Sequence, residues 1–166
     1  MSLSNLNRIH FIGIGGIGMS ALARFCLFNG KQVSGYDRVS TKLTKQLESE
    51  GAEIHYLDEI DSVLTHSAID LVVYTPAIPA DSNQYNFFKK SSIKLIKRAE
   101  FLGEITKDYF TIAVAGTHGK TTTSSIIAHI LEHSDHGGIA FLGGIASNYS
   151  SNIILSNKNK VAVVEA

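Results

Sequence analysis

The sequence predicts an α/β fold in which a Rossmann-like parallel-sheet domain comes first and the start of a phosphate-loop (P-loop) domain follows. Short runs of β-branched residues alternate with amphipathic segments, which is the pattern of βαβ units and a mostly parallel sheet. A glycine-rich turn follows a predicted strand near residue 13, and another follows a strand near residue 116. Because the alternation restarts at the second turn, we predict one domain over residues 1–107 and a second over residues 108–166.

The same alternation gives the individual elements. The predicted strands cover residues 9–14, 32–36, 53–56, 70–74, 93–96, 111–114 and 161–166. The predicted helices cover residues 17–28, 41–50, 58–65, 82–90, 98–106 and 120–133. Residues 134–152 are rich in Gly, Ser and Asn and are assigned no element, and residues 107–109 are interpreted as a hinge. A nucleotide-hydrolysing domain needs more strands than the second domain has, so we expect the chain to be an N-terminal fragment.

Composition and charge are those of an ordinary soluble globular protein. The 166 residues are 44% hydrophobic and 18% charged, and the net charge is zero, so neither nucleic acid nor an anionic membrane is predicted as a partner. Cys26 is the single cysteine, which cannot form an internal disulfide and fits a reducing cytoplasm. No targeting segment is recognisable, so we expect a cytoplasmic protein. Nothing in the sequence indicates an oligomeric state.

The first glycine-rich turn has the spacing Gly13-x-Gly15-x-x-Gly18 between a strand and a helix. In such a turn the backbone can approach a diphosphate, which the free N–H groups and the positive dipole end of the helix then bind. Asp37 ends the second predicted strand, where an acid that binds ribose belongs. These features leave three interpretations open: a dinucleotide site, a site for another diphosphate ligand, or a turn used only for packing.

The second turn, Gly-Thr-His-Gly-Lys-Thr at residues 116–121, resembles a compact phosphate loop. The common spacing would place a glycine at Val114, but Gly116 is available for the turn. Lys120 is expected to reach the outer phosphates, and the Thr121 hydroxyl is expected to bind magnesium. Glu165, at the end of the strand "VAVVE", is the candidate second magnesium ligand. The alternatives are a lysine-bearing turn before an ordinary helix and an ordinary strand-end glutamate.

His129, His133 and His136 could indicate a metal site. The first two lie four residues apart on one predicted helix, so their side chains lie on the same face. The glutamate of an HExxH motif is missing, since Glu132 directly precedes His133. We therefore interpret them as a polar helix end that runs into a loop.

Five segments in collinear order, "HFIGIGGIGMSALA", "VSGYD", "YTPAIP", "KRAEFL" and "IAVAGTHGKTTTSS", closely resemble the Mur ligase family. The resemblance covers nearly the whole chain. It implies a Rossmann-like domain for a UDP-sugar, a central ATPase domain, of which residues 108–166 would be the beginning, and a third domain that closes over the nucleotide. The first loop would then bind the diphosphate of UDP-N-acetylmuramate rather than NAD.

The resemblance also implies roles for individual residues. Substrate-binding residues would be Gly15, Gly16, Ile17, Gly18, Met19, Ser20, Asp37, Thr75, Pro76, Ala77 and Arg98. ATP-binding residues would be Gly116, Thr117, His118, Gly119, Lys120, Thr121 and Thr122. Lys120 and His118 would be catalytic, and Thr121 and Glu165 would hold Mg²⁺. Arg98 is equally readable as a solvated arginine at a helix start.

The implied reaction joins two small molecules, UDP-N-acetylmuramate and L-alanine, at the cost of ATP. The muramate carboxylate would take the γ-phosphoryl group to give an acyl phosphate, and the amine would then displace phosphate. We expect residues 1–166 to be inactive alone. Three alternatives stay open: a family member that recycles a murein tripeptide, an NAD(P)-dependent oxidoreductase built on the first glycine loop, and a non-catalytic nucleotide-binding module.

Overall fold

The structure, a computed structural model, describes residues 3–60, 68–156 and 161–165. The chain divides into two compact units, Met1–Leu102 (unit 1) and Gly103–Ala166 (unit 2). Each unit has a sheet of its own. The boundary predicted from the sequence, after residue 107, falls a few residues further along the chain and stays a prediction.

Unit 1 is built on a five-stranded sheet in which every neighbouring pair is parallel. Its strands are β1 (Arg8–Ile12), β2 (Gln32–Tyr36), β3 (Glu53–His55), β4 (Leu71–Tyr74) and β5 (Lys94–Lys97). Its helices are α1 (Ile17–Phe28), α2 (Lys42–Ser49), α3 (Asn83–Lys90) and the first half of α4 (Arg98–Thr106), which continues past Leu102, and a short 3₁₀ helix covers Leu3–Asn5. The strand order is β3-β2-β1-β4-β5, so the order reverses between β1 and β4. In open α/β sheets, ligands bind at such a reversal, beyond the carboxyl ends of the strands.

The central strands of unit 1 are apolar because both faces of the sheet are covered. Ile9, Phe11 and Ile12 of β1 and Leu71 of β4 are completely buried, as expected for strands with helices on both sides. Helix α2 begins at a capping box. The Thr44 N–H donates to the Thr41 hydroxyl oxygen, and the Thr41 N–H donates to the Thr44 hydroxyl oxygen.

Most predicted elements of unit 1 agree with the structure to within one or two residues. The first strand differs, since it ends at Ile12 rather than at residue 14. The reason is the glycine turn: the N–H groups of Gly13 and Ile14 both donate to the Tyr36 carbonyl, at 2.7 and 3.0 Å, and Gly13 has φ 86°. The predicted helix over residues 58–65 lies mostly outside the described residues, and residues 58–60 are not helical.

Unit 2 has a four-stranded sheet in the order β6-β9-β7-β8 and one long helix. The strands are β6 (Phe110–Val114), β7 (Ile139–Ala146), β8 (Ser151–Ile154) and β9 (Val161–Glu165), and the helix α5 covers Lys120–His133. β9 pairs in parallel with β6 and β7, whereas β7 and β8 are antiparallel. The parallel α/β fold predicted from the sequence is thus confirmed, with one antiparallel edge.

Two strands of unit 2 were assigned no element from the sequence: β7 lies within the Gly-, Ser- and Asn-rich stretch of residues 134–152, and β8 begins in it and ends at Ile154. Glycine, serine and asparagine lower the β propensity of this stretch and conceal its apolar residues. Ile139, Phe141 and Leu142 are nevertheless buried in the sheet, as are Ile153 and Ile154. Across the part of the chain that the structure describes, no helix combines the length and the apolar character needed to cross a bilayer.

Candidate functional site

The glycine loop of unit 1 lies at the carboxyl end of β1, beside the point where the strand order reverses. Gly16 precedes α1 in an extended conformation and has no side chain with which to cap the helix. The first backbone bond of the helix runs from the Ser20 N–H to the Gly16 carbonyl, at 2.8 Å. The start of α1 therefore presents the positive end of its dipole without an acidic residue in the first turn, which suits an anion.

Asp37 holds this loop in place. Its Oδ2 accepts a hydrogen bond from the Gly15 N–H at 2.8 Å, and its Oδ1 accepts one from the Val39 N–H at 3.1 Å. A Cβ at Gly15 would lie 2.8 Å from the same Oδ2, so the loop approaches the carboxylate as closely as glycine allows. Asp37 was predicted to bind only the ligand, but in the structure both of its carboxylate oxygens accept hydrogen bonds from the backbone.

Arg98 lies against the first turn of α1. A Cβ at Gly18 would come within 2.6 Å of the Arg98 Nη1, so the guanidinium occupies the space next to this glycine. A cation beside the positive end of a helix dipole is unfavourable without an anion nearby. This arrangement favours the phosphate- or carboxylate-binding interpretation of Arg98 over that of a solvated arginine.

A cavity of about 590 Å³ opens beside the glycine loop. Four of the predicted substrate-binding residues line it: Gly16, Asp37, Thr75 and Ala77. The remaining predicted residues do not: Gly15, Ile17, Gly18, Met19, Ser20, Pro76 and Arg98. Met19 and Ser20 are buried in α1, so the structure gives no support to their predicted contact with the substrate.

The same cavity is also lined by residues that were not predicted from the sequence, among them Asp58, Ser82 and Asn83. The Asp58 carboxylate accepts hydrogen bonds from the N–H groups of Asn83 (2.8 Å) and Gln84 (3.0 Å) and from the Ser82 hydroxyl (3.3 Å). Asp58 therefore caps α3 from a different loop. Burial, and next the Asp58 charge, raise the pKa of the Tyr36 phenol, which lines the same cavity. The only sequence signal was the position of Asp58, shortly after β3.

The phosphate loop of unit 2 connects β6 to α5 through two glycines with positive φ, Gly116 (151°) and Gly119 (76°). Gly119 forms the N-cap of α5. The Lys120 ammonium donates to the Gly116 carbonyl at 2.8 Å, which folds the lysine back over the loop. Thr117 and His118 are exposed on the loop. The backbone of the loop is thus curved, and the Lys120 side chain and the start of α5 lie beside it. An anion site requires this combination.

Thr121 and Glu165, predicted as magnesium ligands, are in contact. The Thr121 hydroxyl donates to the Glu165 Oε2 at 3.0 Å. They meet because β6 and β9 are parallel neighbours, with Val114 opposite Glu165. The other carboxylate oxygen, Oε1, accepts a hydrogen bond from the Gly143 N–H at 2.8 Å. Gly143 is a further residue of this site that the sequence analysis missed.

This pair of oxygen ligands fits Mg²⁺ bound together with a nucleotide. Magnesium prefers oxygen ligands and is usually held by one or two carboxylates plus substrate phosphates, rather than by a cage of protein side chains. The described residues contain no cluster of three or more His, Cys, Asp and Glu side chains that could hold a metal without such help. One hydroxyl and one carboxylate, 3.0 Å apart at the start of α5, match the nucleotide-bound mode.

A second cavity, of about 360 Å³, adjoins this pair and lies between α5 and residues 145–149. Thr121 and Thr122 line its inner end. At the outer end the Nδ1 of His129 lies 2.6 Å from the Tyr149 hydroxyl, and burial raises the pKa of that phenol. The rings of His129 and His133 lie 4.1 Å apart.

A parallel sheet with a glycine loop at its reversal point, followed by a second sheet with a glycine-rich loop and a Thr–Glu pair, defines an α/β protein with two strand–loop–helix turns of the kind that bind anions. The chain belongs to the Mur ligase family. Residues 8–110 match the family description "Mur ligase family, catalytic domain", and residues 114–165 match "Mur ligase middle domain".

Curated relatives resemble the whole of this chain. A protein of Flavobacterium johnsoniae, named UDP-N-acetylmuramate–L-alanine ligase, is 50% identical over 168 residues, which cover 100% of this chain and 37% of the relative. A Flavobacterium psychrophilum protein of the same name is 52% identical with the same coverage. The chain thus spans little more than a third of the length of these relatives.

Solved structures give the same family. The Neisseria meningitidis protein named UDP-N-acetylmuramate:L-alanyl-γ-D-glutamyl-meso-diaminopimelate ligase (MPL) has a TM-score of 0.86 at 27% identity, with 97% of this chain and 52% of that chain covered. The UDP-N-acetylmuramate–alanine ligase MurC of Thermotoga maritima has a TM-score of 0.81 at 33% identity, with 95% and 36% covered.

Proposed function

We propose that the chain is the N-terminal part of an ATP-dependent ligase that joins L-alanine to UDP-N-acetylmuramate during the synthesis of peptidoglycan precursors. The observation that carries this proposal is the Thr121–Glu165 contact at the phosphate loop, which suits Mg²⁺-ATP. It occurs in a chain about 50% identical to relatives of that name.

The proposed reaction forms two bonds in turn. An oxygen of the muramate carboxylate attacks the γ-phosphorus of ATP, the bond to the β,γ-bridging oxygen breaks, and ADP leaves. The neutral amine of alanine then attacks the acyl carbon, the bond from that carbon to the phosphate oxygen breaks, and the amine proton leaves with inorganic phosphate as the amide forms. Both steps require charge neutralisation and in-line positioning rather than a covalent enzyme nucleophile.

The residues of unit 2 meet these requirements. The Lys120 ammonium exchanges the Gly116 carbonyl for the β- and γ-phosphates, and the N–H groups of residues 116–122 surround the anion. Thr121 and Glu165 hold Mg²⁺, which when bound neutralises phosphate charge and makes phosphorus more electrophilic. His118 is exposed on the loop. In this proposal its side chain forms a hydrogen bond with the transferred phosphoryl group.

The residues of unit 1 bind the UDP-sugar. The start of α1 and the Arg98 guanidinium take the diphosphate, and the cavity lined by Asp37, Thr75 and Ala77 takes the nucleoside and sugar. Both ligands are small molecules, and the zero net charge gives no reason to add nucleic acid. The buried free thiol of Cys26 suits the cytoplasm, where we place the reaction.

A second candidate is a murein-peptide ligase, which the TM-score of 0.86 to the Neisseria protein favours. The higher identity to alanine ligases supports the first proposal, since the Neisseria protein is 27% identical, whereas the alanine ligases of Thermotoga maritima and Flavobacterium johnsoniae are 33% and 50% identical. The two enzymes differ in the amine that they accept.

The test uses the full-length protein and measures phosphate release from ATP with UDP-N-acetylmuramate and each candidate amine. We expect release with L-alanine and none with the tripeptide L-alanyl-γ-D-glutamyl-meso-diaminopimelate. Lys120→Ala is expected to lower kcat at least 100-fold, because removal of one transition-state charge partner costs about 10²–10³. Release with the tripeptide alone would establish the second candidate, and a heat-stability shift with NAD but not with UDP compounds would refute both.

A further inference from the structure

Two adjacent glycines of β7, Gly143 and Gly144, have different surroundings. A Cβ added at Gly143 would overlap the Glu165 carboxylate: it would contact Oε2 and lie 3.1 Å from Cδ. A Cβ added at Gly144 would lie 3.5 Å from the Thr121 Cγ2, which is an ordinary contact. The space that a side chain would need is thus taken at position 143 and is free at position 144.

The backbone of Gly143 also holds this carboxylate. β7 pairs with β9 only as far as Phe141, opposite Val164, and its register with β8 shifts between Phe141 and Ala146. Such irregularities re-aim the backbone next to functional sites. Here the Gly143 N–H donates to the Glu165 Oε1 at 2.8 Å, whereas Oε2 accepts from Thr121 at 3.0 Å. One oxygen is anchored by the backbone, and the other faces the hydroxyl.

We propose that Gly143 is a positioning residue for the magnesium-binding carboxylate. Its N–H fixes Oε1, and its missing side chain leaves the room in which the carboxylate lies, so that Oε2 is held towards Thr121. The inference rests on the proposed function, in which Thr121 and Glu165 hold the Mg²⁺ of ATP. Groups that orient a metal ligand in this way typically change metal affinity about 10–100-fold when they are altered.

The structure separates this role from folding. Gly143 is exposed, and the three atoms nearest to an added Cβ all belong to the end of the Glu165 side chain. A methyl group at position 143 can therefore be accommodated when the carboxylate rotates away, which disturbs no packed core residue. The N–H group remains in an alanine variant, so only the position of the carboxylate changes.

The experiment compares Gly143→Ala with Gly144→Ala in the full-length protein. ATP binding is measured by calorimetry while Mg²⁺ is titrated, and heat stability is measured without nucleotide. We expect Gly143→Ala to raise the Mg²⁺ concentration for half-maximal ATP binding about 10–100-fold, with an unchanged Tm. Gly144→Ala is the matched control and is expected to stay within about twofold, as for a substitution that meets only ordinary contacts.

Two further variants test whether the overlap with the Glu165 carboxylate causes the effect. They are Glu165→Asp and the double variant that combines Glu165→Asp with Gly143→Ala. The shorter aspartate leaves room for the alanine methyl, so Gly143→Ala should cost much less in the Glu165→Asp background than in the wild type. Equal costs in the two backgrounds would refute the inference, as would a Gly143→Ala variant that matches Gly144→Ala. A fall in Tm that persists in the double variant would also refute it, since the glycine would then serve the fold.

The result for the wild type distinguishes this inference from the function on which it rests. Wild-type protein whose ATP binding does not depend on Mg²⁺ would contradict the proposed function itself. Wild-type protein that requires Mg²⁺, together with an unaffected Gly143→Ala variant, would contradict only the role of Gly143.

Discussion

Gly13 and Gly30 both have positive φ, 86° and 70°, but their surroundings differ. Gly13 forms the turn between β1 and α1, and a Cβ there would lie 2.6 Å from the Thr75 Cγ2. Gly30 follows α1, and a Cβ there would have nothing within 4 Å. A side chain would therefore strain the backbone at both positions, whereas it would clash with a neighbouring atom only at Gly13.

We expect Gly13→Ala to lower the free energy of unfolding by about 2–3 kcal/mol, because left-handed backbone costs about 1–2 kcal/mol for an L-residue and overpacking adds to it. Gly30→Ala, the matched control, is expected to lose about 1 kcal/mol from the backbone alone. Urea unfolding of both variants measures the difference. Equal losses would show that the contact with Thr75 relaxes at no cost.

At this scale the sequence predicted which residues gather at the site better than it predicted what they contact. Thr121 and Glu165 were assigned together, and the structure brings their oxygens to 3.0 Å. Asp37 was assigned to a ligand, yet its carboxylate binds the N–H groups of Gly15 and Val39. Asp58 and Gly143 were missed. Apart from the local Asp37–Val39 bond, these contacts join residues at least 22 positions apart in the chain, so no local pattern could reveal them.

The start of β1 is tied to the residue that precedes β4 by a single carboxylate. The Asp70 Oδ2 accepts hydrogen bonds from the Asn7 N–H at 2.7 Å and from the Arg8 N–H at 2.9 Å. These bonds from Arg8 and Asn7 lower the pKa of Asp70. Since the folded pKa lies below the unfolded one, Asp70 contributes stability that is complete above the unfolded value, about 3.9, and is lost as the pH falls through the folded value.

We therefore expect the free energy of unfolding of the wild type to fall with acidification below about pH 4, where the unfolded state binds more protons. Asp70→Asn should be less stable than the wild type at pH 7, and its stability should fall less between pH 5 and 3. Asp81→Asn is the control, because the exposed Asp81 carboxylate makes no hydrogen bond within the described residues. Parallel pH curves for Asp70→Asn and the wild type would contradict this role.

Helices were predicted more accurately than strands. α1 and α5 begin directly after Gly16 and Gly119 and contain no internal break, so their bounds match the prediction. β7 and β8 were missed because Gly143, Gly144 and Asn152 interrupt or dilute their apolar residues. Asn152 is completely buried. The burial of this polar residue depends on the surrounding sheet and cannot be inferred from the sequence of the strand.

Each unit has a core of its own. In unit 1 one buried cluster contains Ile12, Val72 and Phe88, and in unit 2 another contains Ala128, Leu142 and Val163. The two glycine-rich loops are divided in the same way, with residues 13–18 in one unit and residues 116–121 in the other. The sequence predicted this division because both loops have recognisable spacing, although the exact boundary has no such signal.

We expect heat unfolding of the 166-residue chain to show two transitions, one for each unit. UDP should raise the midpoint of one transition, and Mg²⁺-ATP should raise the other, because each ligand stabilises only the unit that binds it. Differential scanning calorimetry with each ligand separately measures this. A single transition that both ligands shift equally would show that the two units unfold as one.

The single cysteine of this chain lies on α1 of unit 1 and is completely buried. Burial raises the pKa of the Cys26 thiol, so in the native state it is both protonated and inaccessible to alkylating reagents. Its rate of labelling therefore measures how often unit 1 opens, without interference from unit 2. The chain carries its own probe, with which the opening of unit 1 can be timed in the presence and absence of Mg²⁺-ATP, the ligand proposed for unit 2.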